Sequence, residues 1–133
     1  MIRVLQASTE RDLDDAFSTL IQRRAGGLVI TADTLFSSKS VELAALAFRH
    51  AVPTISPYRE FVAAGGLVSY GGSVTELYRL IGYTCRILKG EQPANLPVQQ
   101  LTKVELAINL KTAKAFGLTV PNSLIGRADE IIE

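Results

Sequence analysis

One cysteine, one histidine and no tryptophan in 133 residues remove several kinds of chemistry at the outset. Cys85 alone cannot close an intramolecular disulfide, and a single thiol with a single imidazole and no acidic cluster at ligand spacing leaves no set for a metal. Neither a metal nor another cofactor is expected. No apolar run approaches the ~20 residues that span a bilayer, and residues 1–9 have no charged head followed by an apolar signal core, so no export signal is read here. Charge of one sign is missing too. Fourteen basic against thirteen acidic side chains leave a formal +1 with no long run of either sign, which argues against nucleic acid as a partner.

What remains is an ordinary globular composition, 47% hydrophobic and 20% charged. A chain of this size buries roughly two-thirds of its unfolded surface and folds without staples. Ile2–Gln6 reads as a short buried strand. Thr9, with Asp12 three residues on, caps a helix whose stripe is Leu13, Ala16, Phe17, Leu20 and Ile21, with Arg23-Arg24 in its last turn and Gly26-Gly27 ending it. Leu28–Ala32 is a second apolar run, Asp33–Ser38 a polar loop, and Val41, Ala44, Ala45 and Phe48 the stripe of a second helix ending near His50. A third strand follows at Pro53–Pro57. Strand, helix, strand, helix, strand within sixty residues predicts the α/β class: a parallel sheet of right-handed βαβ units with helices on both faces.

Leu67–Tyr70, bracketed by glycine pairs, predicts another strand. Ser73-Val74-Thr75-Glu76 then opens a helix with the stripe Val74, Leu77, Tyr78, Ile81, Cys85 and Leu88, closed by Gly90. Residues 91–97 are a connector. Lys103–Leu110 alternates, with Val104, Leu106, Ile108 and Leu110 on one side and Lys103, Glu105 and Asn109 on a wetter one. A short helix is expected at Thr112–Phe116, and one more from Pro121 onward.

Ligands of open parallel sheets bind beyond the carboxyl ends of the strands, so the loops at Ala7–Thr9, Asp33–Ser38 and Pro57–Phe61 should share one edge. Asp33 can accept from a ligand amine, Thr34, Ser37 and Ser38 can donate, and Tyr58 and Arg59 can stack on or pair with an aromatic or carboxylate group. Each also has a plain reading as a cap or turn residue, strongest for Ser8, Thr9, Ser37 and Ser38. Gly71-Gly72-Ser73 offers backbone amides to an anion or simply caps a helix; it has no P-loop lysine and no G-x-G-x-x-G spacing. His50, at a helix end, reads as a partner of terminal carbonyls rather than a base, and Cys85 as a core residue.

The runs ADTLFSSKSVELAALAFRHAVP, VPTISPYREFVAAGGLVSYGG and RILKGEQPANLPVQQLTKVELAINLKTAKAFGLTVPNSLIGRADEIIE closely resemble the ABC-transporter substrate-binding family that includes tryptophan- and tyrosine-type binding proteins. The resemblance implies a periplasmic-binding-protein-like lobe, a small-molecule solute clamped between two lobes, an ABC permease as partner, a periplasmic location and no catalysis. It places residues 1–72 in the second lobe, and 73–133 in a hinge-crossing helix, a strand and a carboxyl-terminal tail of the same structural domain. Family members are about twice this length and carry a first lobe and the first βα unit of the second. Matched by position, it points to Asp33, Thr34, Phe36, Tyr58, Arg59, Glu60, Tyr70 and Gly71 as solute-binding residues. The alternative is a lobe that self-associates without capturing solute. In either case the strand at Ile2–Gln6 without its neighbour, and apolar stripes without a first lobe, lead us to expect a homodimer. A small enzyme built on Asp33 and His50 has neither nucleophile nor geometry to support it.

Overall fold

A computed structural model describes residues 1–72, 74–97 and 103–133. The chain runs through α1 (Glu10–Gln22), β1 (Leu28–Val29), α2 (Thr34–Ser38), α3 (Ser40–Arg49), β2 (Thr54–Ser56), α4 (Arg59–Ala63), β3 (Val68–Gly72) and α5 (Val74–Leu88). After a 3-10 turn at Pro93–Asn95 come β4 (Val104–Asn109), α6 (Leu110–Ala115), α7 (Asn122–Ile125) and β5 (Glu130–Ile132). Among the described residues five strands form one sheet in the order β1-β2-β3-β4-β5, parallel throughout except where β4 runs antiparallel to β3. The α/β class is thus as expected, with helices carrying each parallel crossover.

Strand alternation sorts the sheet into two unlike faces. Thr54, Ser56, Ser69 and Ala107 are buried, on the face covered by α1, α3 and α4, whose Leu13, Phe17, Leu43, Leu46, Phe61 and Val62 form the core with Ile30 and Ala107. The serines and threonine are tolerated there because they are small and bonded, as Thr54 Oγ1 is to the Val52 carbonyl at 2.9 Å. Val29, Ile55, Val68, Tyr70 and Leu106 alternate onto the other face, bordered by residues 118–127 of the α6–α7 region, where they line an open groove of about 840 Å³.

Helix α1 begins as its sequence dictates. Thr9 caps it, Asp12 N–H donates to Thr9 Oγ1 at 3.3 Å, and Asp12 Oδ2 accepts from the backbone N–H of Ser8 and Thr9 at 2.8 Å each. Those donors, Ser8 first, hold the Asp12 carboxyl below its usual range. Its end departs from expectation. The helix closes at Gln22 rather than at the glycine pair, with Arg24 at φ 50° and a Schellman pattern of Arg24 N–H to Ile21 and Ala25 N–H to Leu20. Helix α3 closes the same way: Ala51 sits at φ 49°, its N–H donating to Phe48 and that of Val52 to Ala47. Left-handed backbone costs an L-residue ~1–2 kcal/mol, partly offset in a glycine variant by the entropy glycine loses on folding. Ala51→Gly should therefore raise stability by about 0.5–1 kcal/mol, read as a higher midpoint in urea.

Several expectations need correction. Residues 1–7 form no strand, and Met1, Ile2 and Val4 are exposed; among the described residues β1 pairs with β2 alone, so Ile2–Gln6 does not join the sheet. The polar loop at Asp33–Ser38 is the helix α2. Asn109, assigned to a wetter face, is 5% exposed because its Oδ1 caps α6 through the Thr112 N–H at 3.0 Å. The tail holds β5 as well as the short α7, with Ala107–Asn109 paired in parallel to Glu130–Ile132; a three-residue strand is too short for periodicity to reveal. Cys85 is exposed rather than buried, as are Tyr78, Ile81, Gly82, Thr84, Arg86, Ile87 and Leu88 of α5. The cap expected at Ser73 lies outside the described residues.

Candidate solute-binding edge

The carboxyl ends of β1 and β2 are joined by one tyrosine. Tyr58, the residue before α4, accepts at its hydroxyl from the Asp33 N–H at 2.7 Å and donates to the Asp33 carbonyl at 2.8 Å. Tyr58 N–H in turn donates to Oγ of the buried Ser56 at 3.2 Å, fixing where the ring leaves β2. Asp33 Oδ1 accepts from Leu35 N–H at 2.8 Å as the cap of α2, which leaves the second carboxylate oxygen for other donors. The edge continues to both sides. Lys39, between α2 and α3, forms an ion pair with Glu10 at the start of α1 and lies 3.5 Å from Glu42. Arg59 Nε lies 2.5 Å from Glu130 Oε2 on β5.

The expected site residues divide on this geometry. Asp33, Thr34, Tyr58, Arg59 and Glu60 lie together on the strand-end edge, with Thr34, Arg59 and Glu60 exposed and Tyr58 half-buried. Phe36 is half-buried and packs against the core. Tyr70, 57% exposed, lines the open groove on the far face of the sheet. Gly71 rejoins the edge from beneath: a Cβ there would fall 2.0 Å from the Pro57 carbonyl oxygen. Sequence reasoning missed Glu130 and Glu10 entirely. Nothing local marks them, because each meets its partner through the tertiary fold.

Electrostatics at the edge centre on Arg59. Its bond to Glu130, reinforced by the charges of Glu130, Glu105 and Glu60, raises its pKa, and the same bond lowers that of Glu130. A solute carboxylate would have to compete with Glu130 for the guanidinium. Because the folded-state pKa of Glu130 is depressed, the pair's stabilisation is present above the ordinary glutamate range and is lost as pH falls through the folded value. Both groups are well exposed, so the effect is at most ~1 kcal/mol after screening. A Glu130→Gln variant should melt slightly below the parent at neutral pH, and the two should converge in acid near pH 4 or below. The hydroxyl of Tyr58 is the other separable element. Tyr58→Phe removes two hydrogen bonds at a hydrated site, for an expected loss of roughly 0.5–1.5 kcal/mol in urea denaturation.

The edge contains donors, acceptors and an aromatic ring, but His50 is not part of a catalytic arrangement: it is the C-cap of α3 and its ring stacks on Phe17 at 6.1 Å. Among the described residues no three His, Cys, Asp or Glu side chains are grouped to hold a metal, and no helix is long and apolar enough to cross a membrane.

Polar groups collected at the carboxyl ends of mostly parallel strands stand where open α/β sheets generally bind ligands. Residues 2–132 match the family described as ABC transporter substrate binding protein, and the chain belongs to that family, whose members are extracytoplasmic solute binders rather than enzymes. Three solved structures share the fold. A conserved domain protein from Vibrio cholerae superposes with a TM-score of 0.80 at 22% identity, over 94% of this chain and 42% of that one. An ABC domain from Streptococcus pneumoniae, solved in complex with L-Trp, gives 0.74 at 24% identity, over 90% and 43%. A substrate binding protein with adhesive properties from Clostridium difficile, in a ligand-free, open structure, gives 0.64 at 21%, over 95% and 42%. The chain spans less than half the length of these structures. No curated protein matches it by sequence.

Proposed function

We propose that this chain is the solute-contacting lobe of a substrate-binding protein serving an ABC importer, and that it takes a small amino-acid-like or aromatic solute at the strand-end edge. Residues 1–72 supply the lobe and its binding loops, and residues 73–133 the hinge-crossing helix, strand and tail. The observation that carries the reading is the Tyr58–Asp33 clasp: it presents a ring face, a carboxylate oxygen and the neighbouring Arg59 together, within a chain matched to this family from end to end. In this arrangement Asp33 meets a solute ammonium and Arg59 exchanges Glu130 for a solute carboxylate. Tyr58 offers its ring, since its hydroxyl is already engaged. Thr34 and Glu60 border the same space, Gly71 sets the height of the floor, and Phe36 and Tyr70 act from the flanks. The L-Trp in the Streptococcus structure makes tryptophan and tyrosine the first solutes to try. The permease of such an importer is the expected partner, and the periplasm the expected location.

Calorimetric titration with a panel of amino acids tests this. In a form of the protein that binds measurably, Tyr58→Ala and Arg59→Ala should each weaken affinity by about 1–3 kcal/mol through lost stacking or a lost charge-assisted bond. Unchanged affinity in both variants would move the site away from this edge.

A second reading is a lobe that self-associates as a homodimer without capturing solute; light scattering at micromolar concentration tests it, a two-chain mass supporting it and a one-chain mass contradicting it.

A further inference from the structure

Glu130 reaches the solute-binding edge through the register of the sheet. Ser56, Ser69, Ala107 and Glu130 are paired in turn across β2, β3, β4 and β5, and paired residues of neighbouring strands point to the same face. Glu130 therefore stands level with the end of β2, where the loop to Tyr58 leaves, and on the face that α4 covers. There its Oε2 accepts from Arg59 Nε at 2.5 Å. Glu105 and Glu60 also act on the guanidinium, but through charge alone, and Glu105 has its own partner in Lys103 at 3.4 Å. Among the described residues Glu130 is thus the one carboxylate in contact with Arg59.

We propose that Glu130 is a specificity-determining residue of this edge: a built-in competitor for the solute carboxylate, which lowers the preference for an amino acid over the matching amine. This rests on the solute reading above and deepens it. The Glu130 side chain and a solute carboxylate are the same functional group, and both need the one guanidinium. An amino acid therefore gains at Arg59 only the difference between the bond it makes and the bond it breaks. The Glu130 bond runs to Nε, so a carboxylate that takes two guanidinium nitrogens at once has the stronger geometry and displaces it. An amine without a carboxylate gains nothing at Arg59 and leaves the pair closed. Glu130 thus acts on one part of the solute and not on its ring or its ammonium.

The test compares Glu130→Gln with the parent by titrating L-tryptophan and tryptamine, which share ring and ammonium and differ in the carboxylate, with binding read from amide NMR shifts at neutral pH. Glutamine keeps the size and an accepting oxygen but removes the charge. Glu130→Gln should bind L-tryptophan about two- to fivefold more tightly, the range that an exposed ion pair commands, and tryptamine no more tightly than the parent does. In an Arg59→Ala background the gain for L-tryptophan should vanish, because no guanidinium is left to release. A merely structural role of Glu130, or a general loss of negative charge, would not depend on Arg59 in this way. L-Tryptophan bound equally or more weakly by Glu130→Gln, a gain that tryptamine shares, or a gain that survives Arg59→Ala overturns the competition while leaving the edge as the site. No saturable binding of either compound by parent or Glu130→Gln at millimolar concentration overturns both.

Discussion

Phe61→Ala is expected to destabilise the protein by about 3–5 kcal/mol, the usual cost of emptying a phenylalanine site in a packed core. Phe61 is 0% exposed. It lies in the five-residue helix α4, too short to persist on its own, and is part of the same core as Phe17, Leu43 and Ala107. The chain turns tightly around its ring: a Cβ on Gly66 would fall 2.2 Å from Phe61 Cε1 and 2.6 Å from its carbonyl oxygen, so the glycine exists to let the turn close over the ring. Against the 5–15 kcal/mol that typically separates folded from unfolded domains, the loss is a large fraction of the whole. Urea denaturation should show a much lower midpoint with an unchanged slope. A fall under 1 kcal/mol would mean that α4 is not part of the cooperative core.

The second large effect is expected at Gly71. Its added Cβ would meet backbone atoms, the Pro57 oxygen at 2.0 Å and carbon at 2.9 Å, so no rotamer change can relieve the clash. Either β3 or the Pro57-Tyr58 segment must move. Gly71→Ala should cost about 1–3 kcal/mol, typical of overpacking, and should also loosen the Tyr58 clasp on Asp33. Gly72 is the internal control, because a Cβ there meets nothing within 4 Å; Gly72→Ala should stay within ~0.5 kcal/mol of the parent. Equal melting of the two variants would refute the close approach.

These two residues also show what the sequence makes legible. The βα units from Leu28 onward, the Thr9 cap with Asp12, and the polar residues after β1 and β2 are local patterns, and each is where the chain predicted. The strand-end loops could be assigned to one edge because parallel crossovers leave them no other place. What could not be read is whatever depends on distant partners. Arg59 meets Glu130 across 71 residues, β5 is three residues long, and Ile2–Gln6 has the composition of a strand but pairs with no described strand. Cys85 falls on a periodic apolar stripe, yet periodicity marks only a face that can be buried, not one that is. Asn109 is the converse: a polar residue drawn inside because a helix start needs its side-chain oxygen.

Whether the solute is held at the strand-end edge is tested most directly by amide NMR during titration with aromatic amino acids. A 133-residue chain is well suited to it. The predicted result is saturable shift changes confined to residues near Asp33–Phe36, Tyr58–Glu60 and Gly71, with the amides of α1 beyond its first turn unmoved. Saturable shifts centred on the groove residues Val29, Ile55 and Leu106 instead, or no shifts with any amino acid at millimolar concentration, would contradict it.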